Sequence, residues 1–159
     1  MNEAEIAVHM ALTFWNRQNA RMEKILNSFD NNLLSKDVAP GRNSGKYLLG
    51  HILAMNDSML ALFGLGERLF PHYDEIFINN SDKSGLDMPD IQRLREDWYW
   101  GKATLSGGFN QISYKDWFSK HTAMSDEDFA KEPTRNKLNV LINRTNHMAY
   151  HLGQIALIK

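Results

Sequence analysis

Hydrophobic positions recur at helical spacing along most of the chain. From residue 3 to about residue 30, Ile6, Met10, Leu12, Phe14, Met22, Ile25, Leu26 and Phe29 alternate with Arg17, Arg21, Glu23 and Lys24, the pattern of an amphipathic helix. Residues 31–44, with Pro40-Gly41 inside them, read as a loop. Ser44 is placed to cap a second helix through Leu48, Leu49, Ile52, Leu53, Met59, Leu60 and Phe63, which Gly64-Leu65-Gly66 ends. Residues 67–89 carry Pro71, Asn79-Asn80 and Gly85 and predict a long irregular crossover. Pro89-Asp90 opens a third helix that runs to about Leu105, where Gly107-Gly108 is expected to break or bend it. Two short helical pieces follow over residues 113–121 and 125–130, the second opening with the capping sequence Ser125-Asp126-Glu127-Asp128. Pro133 precedes a last helix over residues 136–159. No run of alternating β-branched residues is long enough for a sheet, and no internal repeat is present. The chain therefore predicts one all-α domain over residues 1–159. It is a four-helix bundle with a long crossover between its second and third main helices and short extra helices before the fourth.

Composition narrows the chemistry. The 159 residues include 18 Lys+Arg and 19 Asp+Glu, so no net positive charge is available to attract nucleic acid or an acidic membrane. The weakly charged stretch from Leu138 to Ile158 contains Asn139, Asn143, Arg144, Asn146, His147, His151 and Gln154, too polar for a membrane span. The start, Met1-Asn2-Glu3-Ala4-Glu5, is acidic where a signal peptide is basic, and a cytoplasmic location is expected. Cysteine is absent, which removes thiolate zinc sites, iron–sulfur clusters, disulfides and a cysteine nucleophile. A metal has only imidazole, carboxylate and backbone groups to bind to.

The last helix carries His147-Met148-Ala149-Tyr150-His151. Side chains four apart on a helix stand one above the other, so both imidazoles can reach one point, as they do in helical zinc sites. With about 100° per residue, Leu138, Leu141, Ile142, Ala149, Leu152 and Ala156 fall on one side of this helix. Val140, Asn143, His147, His151 and Gln154 fall on the other. Arg144 is the only charge between Leu138 and Ile158, so the histidine side is expected to face a cleft, a loop or a second copy rather than open water. Gly153, in mid-helix, costs about 1 kcal/mol relative to Ala and predicts a close helix crossing. His51 lies beside the buried flank of the second helix; alone it reads as a core histidine, and with the other two as a third ligand from a facing helix. Other constellations are missing: no Glu-x-x-His, no His-Glu-x-x-His, no phosphate-cradling glycine loop and no Gly-x-Ser-x-Gly. Glu5 and His9 read as an exposed pair, His72 and His121 as surface residues. Trp98, Tyr99, Trp100, Trp117 and Phe118 read as core or dimer contacts.

Two segments carry a family resemblance. Asn146-His147-Met-Ala-Tyr-His151-Leu-Gly153-Gln154-Ile155 resembles the His-x-x-x-His-x-Gly-Gln signature of the DinB-like family of small helical proteins. Leu49-Gly50-His51-Ile52-Leu53-Ala54 resembles that family's first-histidine segment, and the spacing fits nearly the whole chain. The resemblance implies a four-helix bundle, commonly homodimeric, with a divalent metal, zinc or nickel with iron as an alternative, on His51, His147 and His151. It also implies kinship with thiol-dependent transferases, isomerases and hydrolases that use a low-molecular-weight thiol on a small-molecule substrate. Gln154, one turn beyond His151, is expected to hydrogen-bond a ligand or a group that supports the site, or else to face another helix as a structural amide. A general base could come from the crossover, with Asp74 and Glu75 as candidates, or from water on the ion. The competing expectation is a non-catalytic helical dimer that binds metal weakly or not at all.

Overall fold

The computed structural model describes residues 1–158. Four long helices form the body: α1 (Glu3–Ser28), α3 (Gly45–Leu62), α5 (Ile91–Phe109) and α7 (Lys137–Ile155). Short helices α2 (Asn31–Leu34), α4 (Tyr73–Phe77) and α6 (Asp126–Lys131), with a 3-10 turn at Asp116–Phe118, lie in the connections. Among the described residues there are no strands, only isolated bridges at Asp37–Ser44 and Lys120–Asn136. α7 packs against α1 and α3, and α3 against α5. Ties from α5 to α1 close the ring: Lys102 to Glu23, Arg95 to the carbonyls of Leu26 and Phe29, and the Trp15 ring edge-on to Phe109. The all-α bundle is the architecture the periodicity predicts.

The helices start where side-chain acceptors meet their free N–H groups. Asn2 and Glu5 form a reciprocal capping box on α1, so Glu5 serves the helix end rather than pairing with His9. Ser44 caps α3, Asp90 caps α5 and Asn136 caps α7. α5 runs straight through Gly107-Gly108, against expectation. A Cβ on Gly108 would stand 2.7 Å from the Leu65 side chain, so that glycine makes room for the crossover instead of ending the helix.

Beyond Lys137 at its start, the buried positions on α7 are Leu138, Leu141, Thr145, Met148, Leu152 and Ile155, a three-four repeat. That line is rotated by about 45° from the side the sequence suggested. Ile142 is 41% exposed and Ala156 is exposed, while the histidines move from the far side to the flank against α3. Gly153 meets nothing within 4 Å of a Cβ, so no helix crosses there and nothing in the structure explains the glycine. Trp98 and Trp117 are core residues as expected, whereas Tyr99, Trp100 and Phe118 are exposed.

The crossover from α3 to α5 is pinned to the bundle. Asp57, buried on α3, accepts from the backbone N–H groups of Leu69 (2.8 Å) and Phe70 (3.1 Å) and from Nε of Arg68 (3.0 Å). The same guanidinium grips both Asp74 oxygens, at 2.5 and 2.6 Å. Tyr73 donates to buried Asp97 at 2.5 Å; burial, with Asp97 beside it, pushes the phenol up to about 12. These contacts hold α4 against α3, and α4 in turn touches the histidines. Its Phe77 ring presses on the α3 backbone at Gly50, where a Cβ would lie 2.3 Å from the ring. The residue before His51 is glycine because any side chain would displace α4.

Candidate metal centre

Two helices supply the site. The half-buried residues of α3 include His51, Met55, Ser58 and Leu62; those of α7 include Val140, Arg144, His147 and His151. Both stripes step by four, three and four, and they run antiparallel: His51 meets His147 at one level and Ser58 meets Arg144 at another. The seam between them is neither core nor open surface.

At its upper level the three imidazoles converge. His147 Nε2 lies 3.0 Å from Nε2 of His51 and 3.0 Å from Nε2 of His151. The three rings offer donor atoms that all fall within 4.8 Å of one another, the one such cluster among the described residues. The other ring nitrogens decide the tautomers. His51 Nδ1 stands 2.6 Å from the Phe77 carbonyl, which can only accept, so Nδ1 carries the proton and the Nε2 lone pair faces the cluster. His151 Nδ1 donates to Gln154 Oε1 at 2.7 Å and is fixed in the same way. Gln154 Nε2 reaches the Tyr150 hydroxyl at 3.3 Å, which orients its amide. Gln154 thus bonds a histidine of the cluster, a partner the sequence did not indicate. His147 Nδ1 is buried without a partner.

Electrostatics keep the rings ready for a cation. Burial first, then the positive fields of His151, His51 and Arg144, hold His147 down to about 4. Burial also lowers His151, partly offset by its Gln154 bond. At neutral pH both rings are therefore unprotonated, the state a metal ligand requires. Two nitrogens at 3.0 Å from that of His147, with all three donors within 4.8 Å, suit a metal ion, since three nitrogens on a tetrahedral zinc stand about 3.3 Å from each other. With the Nε2 lone pairs of His51 and His151 already turned inward, the donor set fits a divalent metal of the zinc type.

The remaining candidates lie elsewhere. Asp74 is held by Arg68, and the Glu75 carboxylate accepts from the Asn79 and Asn80 amides, so neither is a free base. His72 is exposed as expected, but His121 is half-buried and its Nδ1 has no partner. Sequence reasoning gave no role to Tyr47, which stacks parallel to His51 with ring centroids 6.1 Å apart. Its hydroxyl donates to the Asn80 carbonyl at 2.7 Å and steadies the segment after α4. A cleft of about 500 Å³ lies behind His151, lined by Val38, Ala39, Arg42, Asn43, Tyr150, Gln154 and Leu157. No helix of the described residues is long and apolar enough to cross a membrane.

Fold and site together define an all-helical bundle with a three-histidine cluster between two antiparallel helices. No protein-family model matches the chain, and no curated protein matches it in sequence. Among solved structures the chain is similar to the crystal structure of a conserved protein from Enterococcus faecalis. The match covers 98% of this chain and 94% of that one, with a TM-score of 0.65 and 16% sequence identity. At that identity the likeness establishes the shared fold.

Proposed function

We propose that this protein is a metal-dependent enzyme of the DinB-like kind, in which His51, His147 and His151 hold one divalent ion, zinc or nickel. One observation carries the reading: three Nε2 atoms meet at one point, two of them aimed there by Nδ1–H bonds to Phe77 and Gln154. Supporting bonds of this type fix ring orientation and raise the basicity of the ligating nitrogen. Any buried histidine pairs its N–H; what a core histidine does not call for is three ring nitrogens turned toward one another. Bound there, the ion supplies Lewis acidity that favours ionised thiols and water at neutral pH.

The chain's own groups do the rest. Phe77 and Gln154 hold the two outer rings, and burial keeps protons off His147. Three protein ligands leave coordination positions open, the mark of a catalytic rather than a structural zinc site. The chain has no Cys, so a thiol reaching the ion is a separate small molecule, and the proposed reaction is transfer or hydrolysis of a group on a thiol-linked substrate. The homodimer that accompanies the same resemblance has an apolar face available to it, with Ile6, Met10 and Phe14 of α1 exposed near Ile142 of α7.

Elemental analysis of tag-free protein never exposed to a nickel column tests the reading. About one ion per chain is expected in the wild type and none in His51→Ala or His147→Ala. At a thousandfold excess of free metal over Kd, the wild type should gain about 4.1 kcal/mol of stability and the variants none. Protein that carries no metal and takes none up on titration overturns the proposal, as does a His147→Ala variant with wild-type content.

A further inference from the structure

Arg144 occupies the next level of the same seam. It is one turn before His147 on the half-buried stripe of α7, and besides Lys137 it is the helix's only Lys, Arg, Asp or Glu. Its Nη2 donates to Ser58 Oγ at 3.4 Å, a long bond, while that hydroxyl spends its own proton on the Met55 carbonyl at 2.7 Å. Its Nε is buried with no partner, and no carboxylate among the described residues pairs with it. The other half-buried arginines are satisfied: Arg68 by Asp57 and Asp74, Arg95 by the Leu26 and Phe29 carbonyls. Burial alone lowers the Arg144 pKa, and nothing nearby offsets that cost.

A guanidinium carries five N–H donors in a planar fork shaped for a carboxylate or phosphate. In Arg144 one of them is weakly used. An anion beside Arg144 would relieve both the unpaired charge and the unpaired Nε–H. Residues three apart on a helix have Cβ atoms about 5 to 6 Å apart, so a small molecule can span the two levels.

We infer that Arg144 is the anion-binding residue of the histidine site, and that the molecule acted on carries a carboxylate or phosphoryl group a few bonds from the atom that reaches the ion. This inference rests on the metal reading above and adds a substrate class to it. The group touched by Arg144 is an oxyanion, and the rest of the ligand spans the one helical turn from Arg144 to His147.

The test follows the Arg144 Nε–H signal by 15N NMR in the full chain, identified by its loss in Arg144→Lys. Sodium acetate and inorganic phosphate are titrated separately, into protein stripped of metal and into protein given one equivalent of zinc. The expected result is a saturable shift of the Arg144 signal by one of the anions, at least tenfold tighter than any shift of Arg42, which lines the cleft behind His151. The responding anion separates a carboxylate ligand from a phosphoryl one. If neither anion shifts Arg144 more tightly than Arg42, in either form, the inference is overturned. Failure to bind zinc overturns the metal reading alone, because the titration of the stripped protein still decides whether Arg144 takes an anion.

Discussion

Two half-buried arginines reach neighbouring residues of α3, Asp57 and Ser58, and have opposite surroundings. Arg68 meets Asp57 at 3.0 Å and both oxygens of Asp74. Arg144 meets one serine hydroxyl at 3.4 Å and no carboxylate. Around Arg68 each charge has a countercharge and Asp57 also accepts two backbone N–H bonds, so the network fastens the crossover. One turn from Arg144 is His147, an imidazole whose only charged form is positive. A bundle that can fully compensate one buried cation leaves another uncompensated beside its histidines. The difference separates a region built for stability from one that forgoes stability to keep donors available for a ligand.

The same substitution in both places should separate them most sharply. Arg68→Met leaves the fully buried Asp57 carboxylate without its cation and frees Asp74 from the crossover. Removing one partner of a buried ion pair costs about 3 to 5 kcal/mol. The expected result is a loss of that size in urea unfolding, together with weaker metal binding, because Phe77 and its carbonyl are held through the same crossover. A loss below about 1 kcal/mol would show that the clasp is a surface ornament and would remove one side of the comparison.

The long helices and their caps were legible because each rests on local chemistry: Ser44, Asp90 and Asn136 cap where the sequence places an acceptor before an apolar repeat. The histidine trio was legible from the four-residue spacing of His147 and His151 and from the resemblance around His51. The clasp was not, because Asp57, Arg68 and Asp74 are joined by the fold rather than by any local pattern. Gly108 was misread for a related reason. Its missing side chain answers Leu65, 43 positions away, and no helix propensity records that. On α7, the apolar side drawn around Ile142 and Ala149 overlooked Thr145, which is buried because its hydroxyl donates to the Leu141 carbonyl at 2.7 Å. That satisfied hydroxyl rotates the buried line and brings the histidines against α3. Gln154 gave the type of its interaction but not its partner, since an amide three residues from a histidine can turn either way.

Acid sharpens the comparison from the groove side. With a folded value of about 4 against an ordinary 6.5, His147 resists protonation in the native state, where a proton would add a cation beside Arg144, His51 and His151. The unfolded chain takes up the proton first. Stability attributable to this ring is therefore fully present above about pH 6.5 and is lost as pH falls toward 4. For one ring the loss is about 3 kcal/mol between those values. Metal-free wild type and His147→Ala, unfolded in urea at pH 7.5 and pH 4.5, should differ by a smaller acid loss in the variant. Equal losses would mean that His147 is protonated as easily in the fold as out of it, and the site would then be poorly suited to a metal at neutral pH.

The smallest expected effect is the most discriminating, because its sign differs. Arg144→Met keeps the length and the apolar stem of the side chain along the seam, removes an unpaired buried charge, and strands only the Ser58 hydroxyl, which retains its bond to Met55. Replacing buried charges by apolar groups of similar volume is neutral or stabilising, and here the gain should be about 1 kcal/mol in the metal-free protein. Metal affinity should hold or rise, since a cation leaves the neighbourhood of His147, while binding of acetate or phosphate is lost. Paired urea curves for Arg68→Met and Arg144→Met provide the measurement, with metal content read on the same samples. If Arg144→Met destabilised as Arg68→Met does, the guanidinium would be holding α3 and α7 together, and its unused donors would not mark a place for a ligand. Opposite signs would instead make Arg144 a residue retained against the stability of the fold, which is the behaviour expected of a group that binds substrate.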